Sequence, residues 1–257
     1  MSNKIDLKGR TAFVTGASRG IGESAARQLA KYGANVVLAA RSIKDCVRIA
    51  QDIGDNALAV QCDVANYEEV KLAVDQAVKY FGGIDILVNN AGIIEPIAML
   101  ENSEPEAWSR VVDVNFKGVY ICLHACFPTL KASTREDKRS VVINISSGAA
   151  TSMLPGWSHY SATKAAVLSL TRTINREWSE HDISVIGLSP GTVATNMQHA
   201  IKASQINVVS QMDWSEHIEP EWPAEAICWL VTDAAREFDG TDFSIKTEEG
   251  RKLVGLI

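Results

Sequence analysis

The side chains with the clearest chemical potential are Tyr160 and Lys164, spaced as i and i+4. On a helix that spacing stacks the two on one face, one turn apart. An unperturbed phenol has a pKa of about 10 and accepts protons poorly near neutral pH. Bringing it to neutrality takes about 4 kcal/mol. A positive charge about 4 Å away, at an effective dielectric of about 20, supplies an interaction of that order. The pair therefore predicts an ammonium-tuned phenol that gives a proton to an alkoxide forming from a carbonyl, or takes one from an alcohol. Many solvent-facing helices carry the same spacing by chance, so the reading depends on the elements that position it.

Those elements begin with a short apolar β run at 11–15, followed by Gly16-x-x-x-Gly20-x-Gly22 and a helical pattern from Glu23 to Gly33. Strand, glycine turn and helix in that order form a phosphate cradle. Absent side chains let the backbone approach a pyrophosphate, and the helix N-terminus offers free N–H groups. A second buried strand at 34–41 ends in Ala40, Arg41 and Ser42, with no carboxylate before Asp45. An acidic residue there would grip the ribose of NAD. A guanidinium instead suits a 2′-phosphate, with Arg19 as a second contributor. NADP(H) is thus expected over NAD(H); the competing view is that both arginines are solvated surface residues.

The βα alternation continues. Helices are expected at 44–53 and 67–81, strands at 57–61 and 84–88. Cys62-Asp63-Val64 closes the third strand, where Asp63 can hydrogen-bond an adenine amino group, and Asn89-Asn90-Ala91-Gly92 follows the fourth. A long helix begins near Glu104, with Ser103 as N-cap and Pro105 in its first turn. Asn115 and Gly118 are poor choices inside it, which predicts a kink or a held water. The charged run 131–139 reads as a surface loop. A fifth strand at 141–145 leads to Ser146 and Ser147, and 149–158 is loop before the helix of Tyr160 runs to about 180. A sixth strand at 183–188 ends in Ser189-Pro190-Gly191. From 195 to 222 the pattern breaks down into a polar stretch with scattered apolar residues, expected to be a substrate-covering lid; a plain connection is the alternative. A helix at 223–232 and a strand at 241–245 complete one domain over 1–257.

The 257 residues are 46% hydrophobic and 22% charged with net charge −6, the balance of a soluble globular protein. That argues against nucleic acid or an anionic membrane as partner. The five cysteines form no C-x-x-C pair, and the polar opening lacks a leader's apolar core, so a cytoplasmic protein with reduced thiols is expected. No metal is expected: Cys122 and Cys126 share a helix face, but His124 points elsewhere.

Together these stretches resemble the short-chain dehydrogenase/reductase family from Gly9 to about Phe243. The carriers are Thr15-Gly16-x-x-x-Gly20-x-Gly22, Asn89-Asn90-Ala91-Gly92, Asn115, Ser147, Tyr160-x-x-x-Lys164 and Pro190-Gly191. The resemblance implies an α/β fold, a single Rossmann-like doubly wound parallel sheet of about seven strands with helices on both faces. It implies an NADP(H)-dependent oxidoreductase interconverting a small-molecule carbonyl and a secondary alcohol by hydride transfer. Tyr160 would be the general acid/base, Lys164 would lower its pKa and hold the nicotinamide ribose, Ser147 would bond the substrate oxygen, and Asn115 would hold a relay water. Gly16, Ser18, Arg19, Gly20, Ile21, Gly22, Arg41, Asp63, Val64, Asn90, Ala91, Gly92, Pro190, Gly191, Val193 and Thr195 would contact the cofactor with Tyr160 and Lys164. Family members are mostly dimers or tetramers, so a homodimer or homotetramer is implied. However, residues 242–257 replace the family's usual glycine-rich ending. Thioester reduction is a common family activity, but no basic patch suits an acidic carrier protein. The alternatives are a cofactor-sensing protein without turnover and an NAD-dependent dehydrogenase of the same family. An epimerase would need a larger C-terminal domain, and enoyl reductases space Tyr and Lys farther apart.

Overall fold

A computed structural model describes residues 5–136 and 138–257. Residues 1–4, part of the polar opening, and Asp137, in the charged run before the fifth strand, lie outside the described residues. Seven strands form one parallel sheet: β1 (Thr11–Thr15), β2 (Asn35–Ala40), β3 (Ala57–Gln61), β4 (Ile86–Asn89), β5 (Ser140–Ile145), β6 (Ile183–Ser189) and β7 (Asp242–Ser244). Their order is β3-β2-β1-β4-β5-β6-β7. Strands buried on both faces read as continuous apolar runs, and period-two alternation sorts their side chains into two cores. Ala12, Val14, Val36, Leu38, Ile143 and Ile186 pack against α1 (Gly20–Lys31), α2 (Ile43–Ile53), α8 (Glu221–Leu230) and α9 (Glu248–Val254). Phe13, Val37, Leu87, Val142 and Val185 pack against α3 (Tyr67–Phe81), α5 (Gly118–Ser133) and α6 (Ser158–Trp178). The doubly wound architecture that the resemblance implies is the one observed.

The chain runs from β1 outward to β3, then returns to place β4 on the other side of β1. In open α/β sheets, ligands bind at such a reversal, outside the carboxyl ends of the strands. Here that crevice lies between the loops after β1 and β4.

Four local readings change. Ser103 is not the N-cap of α4 (Pro105–Val112); Glu104 is, and Ser103 Oγ instead donates to the Leu100 carbonyl at 2.8 Å. Between α4 and α5 the backbone widens into a π turn, Asp113–Lys117, so the misfit of Asn115 is absorbed without ending the helix. Gly118 follows because a Cβ there would come within 2.8 Å of Val64 Cγ2. The charged run 131–139 is not all surface: α5 extends to Ser133, and Arg139 is 2% exposed. The 195–222 stretch is not irregular, since it holds α7 (Asn196–Ser204) and two 3-10 turns, Val208–Gln211 and Trp214–Glu216. No helix among the described residues is long and apolar enough to cross a membrane. All five cysteines are buried and free.

Candidate active site

The glycine loop is fastened to the loop after β4. Thr15 Oγ1 accepts from Asn90 N and Ala91 N, each at 3.0 Å, and Asn90 Nδ2 donates to Thr15 O at 2.8 Å and Gly16 O at 3.3 Å. Side chains would not fit this junction. A Cβ on Gly22 would lie 2.4 Å from Gly16 O, and one on Gly16 would lie 2.9 Å from Ala91 Cα. Gly16 and Gly20 also hold φ of +64° and +57°, the left-handed region that glycine enters freely. Arg19, extended at the N-cap of α1, makes no side-chain cap bond. The first N–H groups of α1 therefore lack a capping side chain and face the crevice mouth, where an anion is favoured. This cradle fits a dinucleotide pyrophosphate.

Around the cradle, Ser18 in the loop and Ile21 in the first turn of α1 are half-buried, and Thr195 closes over the loop, its Cγ2 3.2 Å from where a Gly20 Cβ would stand. Arg19 and Arg41 are both exposed, and neither forms an ion pair among the described residues. Pro190 is buried at the end of β6, and Gly191 turns the chain with φ +84°. Val193 is buried and bridges to Ile218. Val64 is buried against Gly118, and Gly92 sits beside Asn115 Oδ1.

Two of the expected cofactor contacts have other work. The Asn90 carboxamide is the fastener just described. Asp63 Oδ1 accepts from Ala65 N at 3.0 Å and Oδ2 from Arg110 Nη2 at 2.5 Å. Burial pushes the Asp63 carboxyl up, but the Ala65 amide and the Arg110 guanidinium outweigh it and hold it below the ordinary value. Arg110 was not anticipated, because the pairing spans β3 and α4 and leaves no local pattern.

At the other side of the crevice stands Tyr160, in the first turn of α6. Its ring meets Trp157 edge-on at 5.7 Å and packs with Ile94, Ala149 and Ile201 of α7 in a small apolar cluster over the sheet's carboxyl edge. Lys164 is one turn on, its Nζ 5.6 Å from the Tyr160 ring centroid and bonded to Ile145 O at 2.7 Å. Ser147 is extended at the end of β5, and its Oγ accepts from Ala149 N at 3.1 Å. Burial pushes the Tyr160 phenol up, and the adjacent Ser147 hydroxyl offsets only part of that. The expected lowering by Lys164 is thus not what this structure displays: the ammonium lies over the ring and is committed to a carbonyl. Burial also pushes Lys164 down, to about 8, against the opposing charge of Asp242.

Asn115 is buried in the π turn and spends its amide on the loop after β4. Oδ1 accepts from Ile93 N and Nδ2 donates to Ile93 O, both at 2.8 Å, with Thr163 Oγ1 at 3.4 Å. Thr163 Oγ1 in turn donates to Tyr160 O at 2.8 Å. Asn115 therefore ties the pocket wall to the helix that carries the tyrosine. His159, next to Tyr160, is buried and stacks on Trp108 at 6.3 Å. Burial pushes its imidazole down, the Ile94 and Pro96 carbonyls facing the ring oppose that, and neither ring nitrogen forms a hydrogen bond among the described residues. Lys246 was missed by the sequence reading: its Nζ lies 3.5 Å from where a Gly148 Cβ would stand, beside Ser147.

Comparison with known proteins agrees with this geometry. The family profile described as short chain dehydrogenase matches residues 10–206. The 3-oxoacyl-(acyl-carrier-protein) reductase FabG of Staphylococcus epidermidis is 34% identical over 236 residues, covering 90% of this chain and 95% of that protein. A 3beta-hydroxysteroid dehydrogenase 1 of Eggerthella lenta is 35% identical over 247 residues, covering 92% of each. Among solved structures, a 3-ketoacyl-(acyl-carrier-protein) reductase from Brucella melitensis complexed with NADH superposes with TM-score 0.83 at 33% identity, covering 93% of this chain and 98% of that one. With its glycine cradle at the strand reversal and its Tyr160, Lys164 and Ser147 grouped across the crevice, this chain belongs to the short-chain dehydrogenase/reductase family and is an oxidoreductase.

Proposed function

We propose that the chain interconverts a carbonyl and a secondary alcohol with NADP(H), using Tyr160 as general acid/base. The observation that carries this is the meeting of Tyr160, Ser147 and charged Lys164 at the same crevice as the glycine cradle. A nicotinamide held there supplies or takes the hydride. In the reducing direction a carbonyl oxygen sits between the Ser147 and Tyr160 hydroxyls. Ser147 donates a hydrogen bond, and Tyr160 delivers its proton as negative charge develops. A buried phenol with a raised pKa is protonated near neutral pH, the form this direction needs. Lys164 opposes the burial cost of the phenolate left behind only from a distance, its Nζ 5.6 Å from the ring centroid. Asn115 holds the wall at Ile93, and residues 195–222, through Ile201 of α7, close over the ring of Tyr160 and exclude water.

The apolar lining of Ile94, Trp157 and Ile201 suits a ketone on an aliphatic or alicyclic body. The named relatives make 3-oxoacyl thioesters and 3-ketosteroids the first classes to test. Arg41 and Arg19 support NADP(H) through the 2′-phosphate; NAD(H) is the second reading, favoured by the nicotinamide dinucleotide in the Brucella structure. Buried free thiols fit a cytoplasmic protein, and a homo-oligomer fits the family.

Following NADPH absorbance with both ketone classes tests the reading. Turnover that disappears in Tyr160→Phe supports it. NADPH bound tightly without turnover on either class points to a sensor, and NADH bound more tightly than NADPH removes the role given to Arg41.

A further inference from the structure

One carboxylate beneath the site has no part in the scheme above. Asp242 pairs with Gly187 of β6, and its side chain crosses that neighbour to reach the end of β5, where Ser146 Oγ donates to Asp242 Oδ2 at 3.2 Å. The crossing needs a glycine: a Cβ at Gly187 would stand 2.6 Å from Asp242 Oδ1. Alternation turns Asp242, Gly187 and Ser146 to the α6 side of the sheet, because Phe243, Leu188 and Ile145 pack on the other. Asp242 Oδ1 is buried there with no hydrogen-bond partner among the described residues. A buried acceptor left unpaired lowers stability, so packing alone is a poor account of this residue.

Lys164 descends from α6 into the same layer, bonded to the carbonyl of the residue just before Ser146. Asp242 on β7 is the charged group whose field acts on it. Burial pushes the Asp242 carboxyl up, and Ser146, Arg172 on α6 and Lys164 oppose that push. Tyr160 faces Lys164 from one turn back, and Lys246 reaches Gly148 at the rim.

We propose that Asp242 is a positioning residue for Lys164: its carboxylate, carried across Gly187, keeps the lysine charged and seated on the Ile145 carbonyl next to the two serines. The inference rests on the role given to Lys164 above. Burial alone discharges a lysine as pH rises past neutrality, and the nearby negative charge opposes that. The effect acts at a distance through a poorly screened interior, since no ion pair joins the two.

The test reads Lys164 directly. Isotope-labelled lysine in the intact protein gives a side-chain NMR titration, with the Lys164 signal assigned by its loss in Lys164→Met. The wild-type midpoint is expected near pH 8. Asp242→Asn moves it down by about one pH unit, as removal of an opposite charge does, and Asp242→Glu returns it toward the wild-type value. The alkaline limb of kcat moves with it. A folded Asp242→Asn protein whose midpoint stays in place overturns the proposal, as does a fall in kcat without movement of the limb. Absence of turnover in the wild type counts against the oxidoreductase scheme, while the NMR midpoint still decides the role of Asp242. If Asp242→Asn does not fold, Ser146→Ala replaces it. Losing that donor favours the neutral carboxyl, so a smaller downward movement supports the proposal and an unmoved midpoint rejects it.

Discussion

At the amino ends of the strands, two arginines are built into the protein. Arg10 Nε pairs with Asp85 at 2.7 Å and its Nη atoms donate to the carbonyls of Val231 and Arg139. Arg139 pairs with Asp239 at 2.8 Å and donates to Ser184 Oγ and the Thr232 carbonyl. At the carboxyl ends the polar groups are arranged otherwise. Trp157 Nε1, both nitrogens of His159, Ser161 Oγ and Asp242 Oδ1 are buried without partners among the described residues, and Tyr160 and Lys164 are both displaced by burial from their ordinary pKa values. The amino edge has its charges compensated, even though Arg139 Nε is buried without a hydrogen bond among the described residues, so it resists change. The other holds groups in states they would not choose in water, and that cost is the condition for proton chemistry. The edges should therefore respond differently to substitution.

The sharpest test pairs one residue from each. Tyr160→Phe should lower kcat by about 10²–10⁴, equivalent to roughly 3–5 kcal/mol of barrier, while changing unfolding stability by less than about 1 kcal/mol. Arg139→Ala should do the reverse. Losing the buried guanidinium leaves Asp239 with the Ser184 hydroxyl and no cation, and frees the Thr232 carbonyl of its donor; this should cost about 3–5 kcal/mol in a denaturant titration, with kcat of the folded fraction within about twofold. Similar losses of both properties in either variant would erase the distinction.

Next in size is a stabilising change at the active edge. Lys164 falls from 10.5 to about 8 on burial. At about 1.4 kcal/mol per tenfold, that is a penalty of roughly 3 kcal/mol at most, reduced by about 1 kcal/mol for the bond to Ile145 O. Between those two pH values the unfolded chain keeps a proton that the folded chain has shed. The penalty is therefore full below about 8 and fades as pH climbs to 10.5. Lys164→Met should raise unfolding stability near pH 7 by about 1–2 kcal/mol while abolishing turnover. The gain should shrink in alkaline buffer. Smallest is Arg41→Ala, which should weaken NADPH binding about tenfold, roughly 1.4 kcal/mol, and leave NADH unchanged in the same calorimetric titration.

What could be read in advance follows the same division of physical causes. The strand, glycine turn and helix at β1–α1, and the one-turn spacing of Tyr160 and Lys164, are local patterns, and the structure keeps them. The direction of the Tyr160 shift could not be read, because it depends on Trp157, Ile94 and Ile201 closing around the ring from three separate segments. Arg139 looked solvated amid Arg135, Glu136 and Lys138. Its acceptors, Asp239 and Thr232, lie far along the chain. Likewise α7 hides in a polar stretch, since only Ile201 of its nine residues is fully buried. Asp242 is the clearest case, invisible until Gly187 is seen to make room for it.

The clasp between Asn90, Thr15 and Gly16 bears on how a guest would be received. Because both loops are already sewn to each other across β1 and β4, the cradle does not have to assemble around an incoming pyrophosphate. Little chain ordering should accompany capture, so association should be quick and its heat-capacity signature modest. Slow steps in the working cycle are then expected in the α7 segment proposed above to cover the site rather than in the floor beneath it.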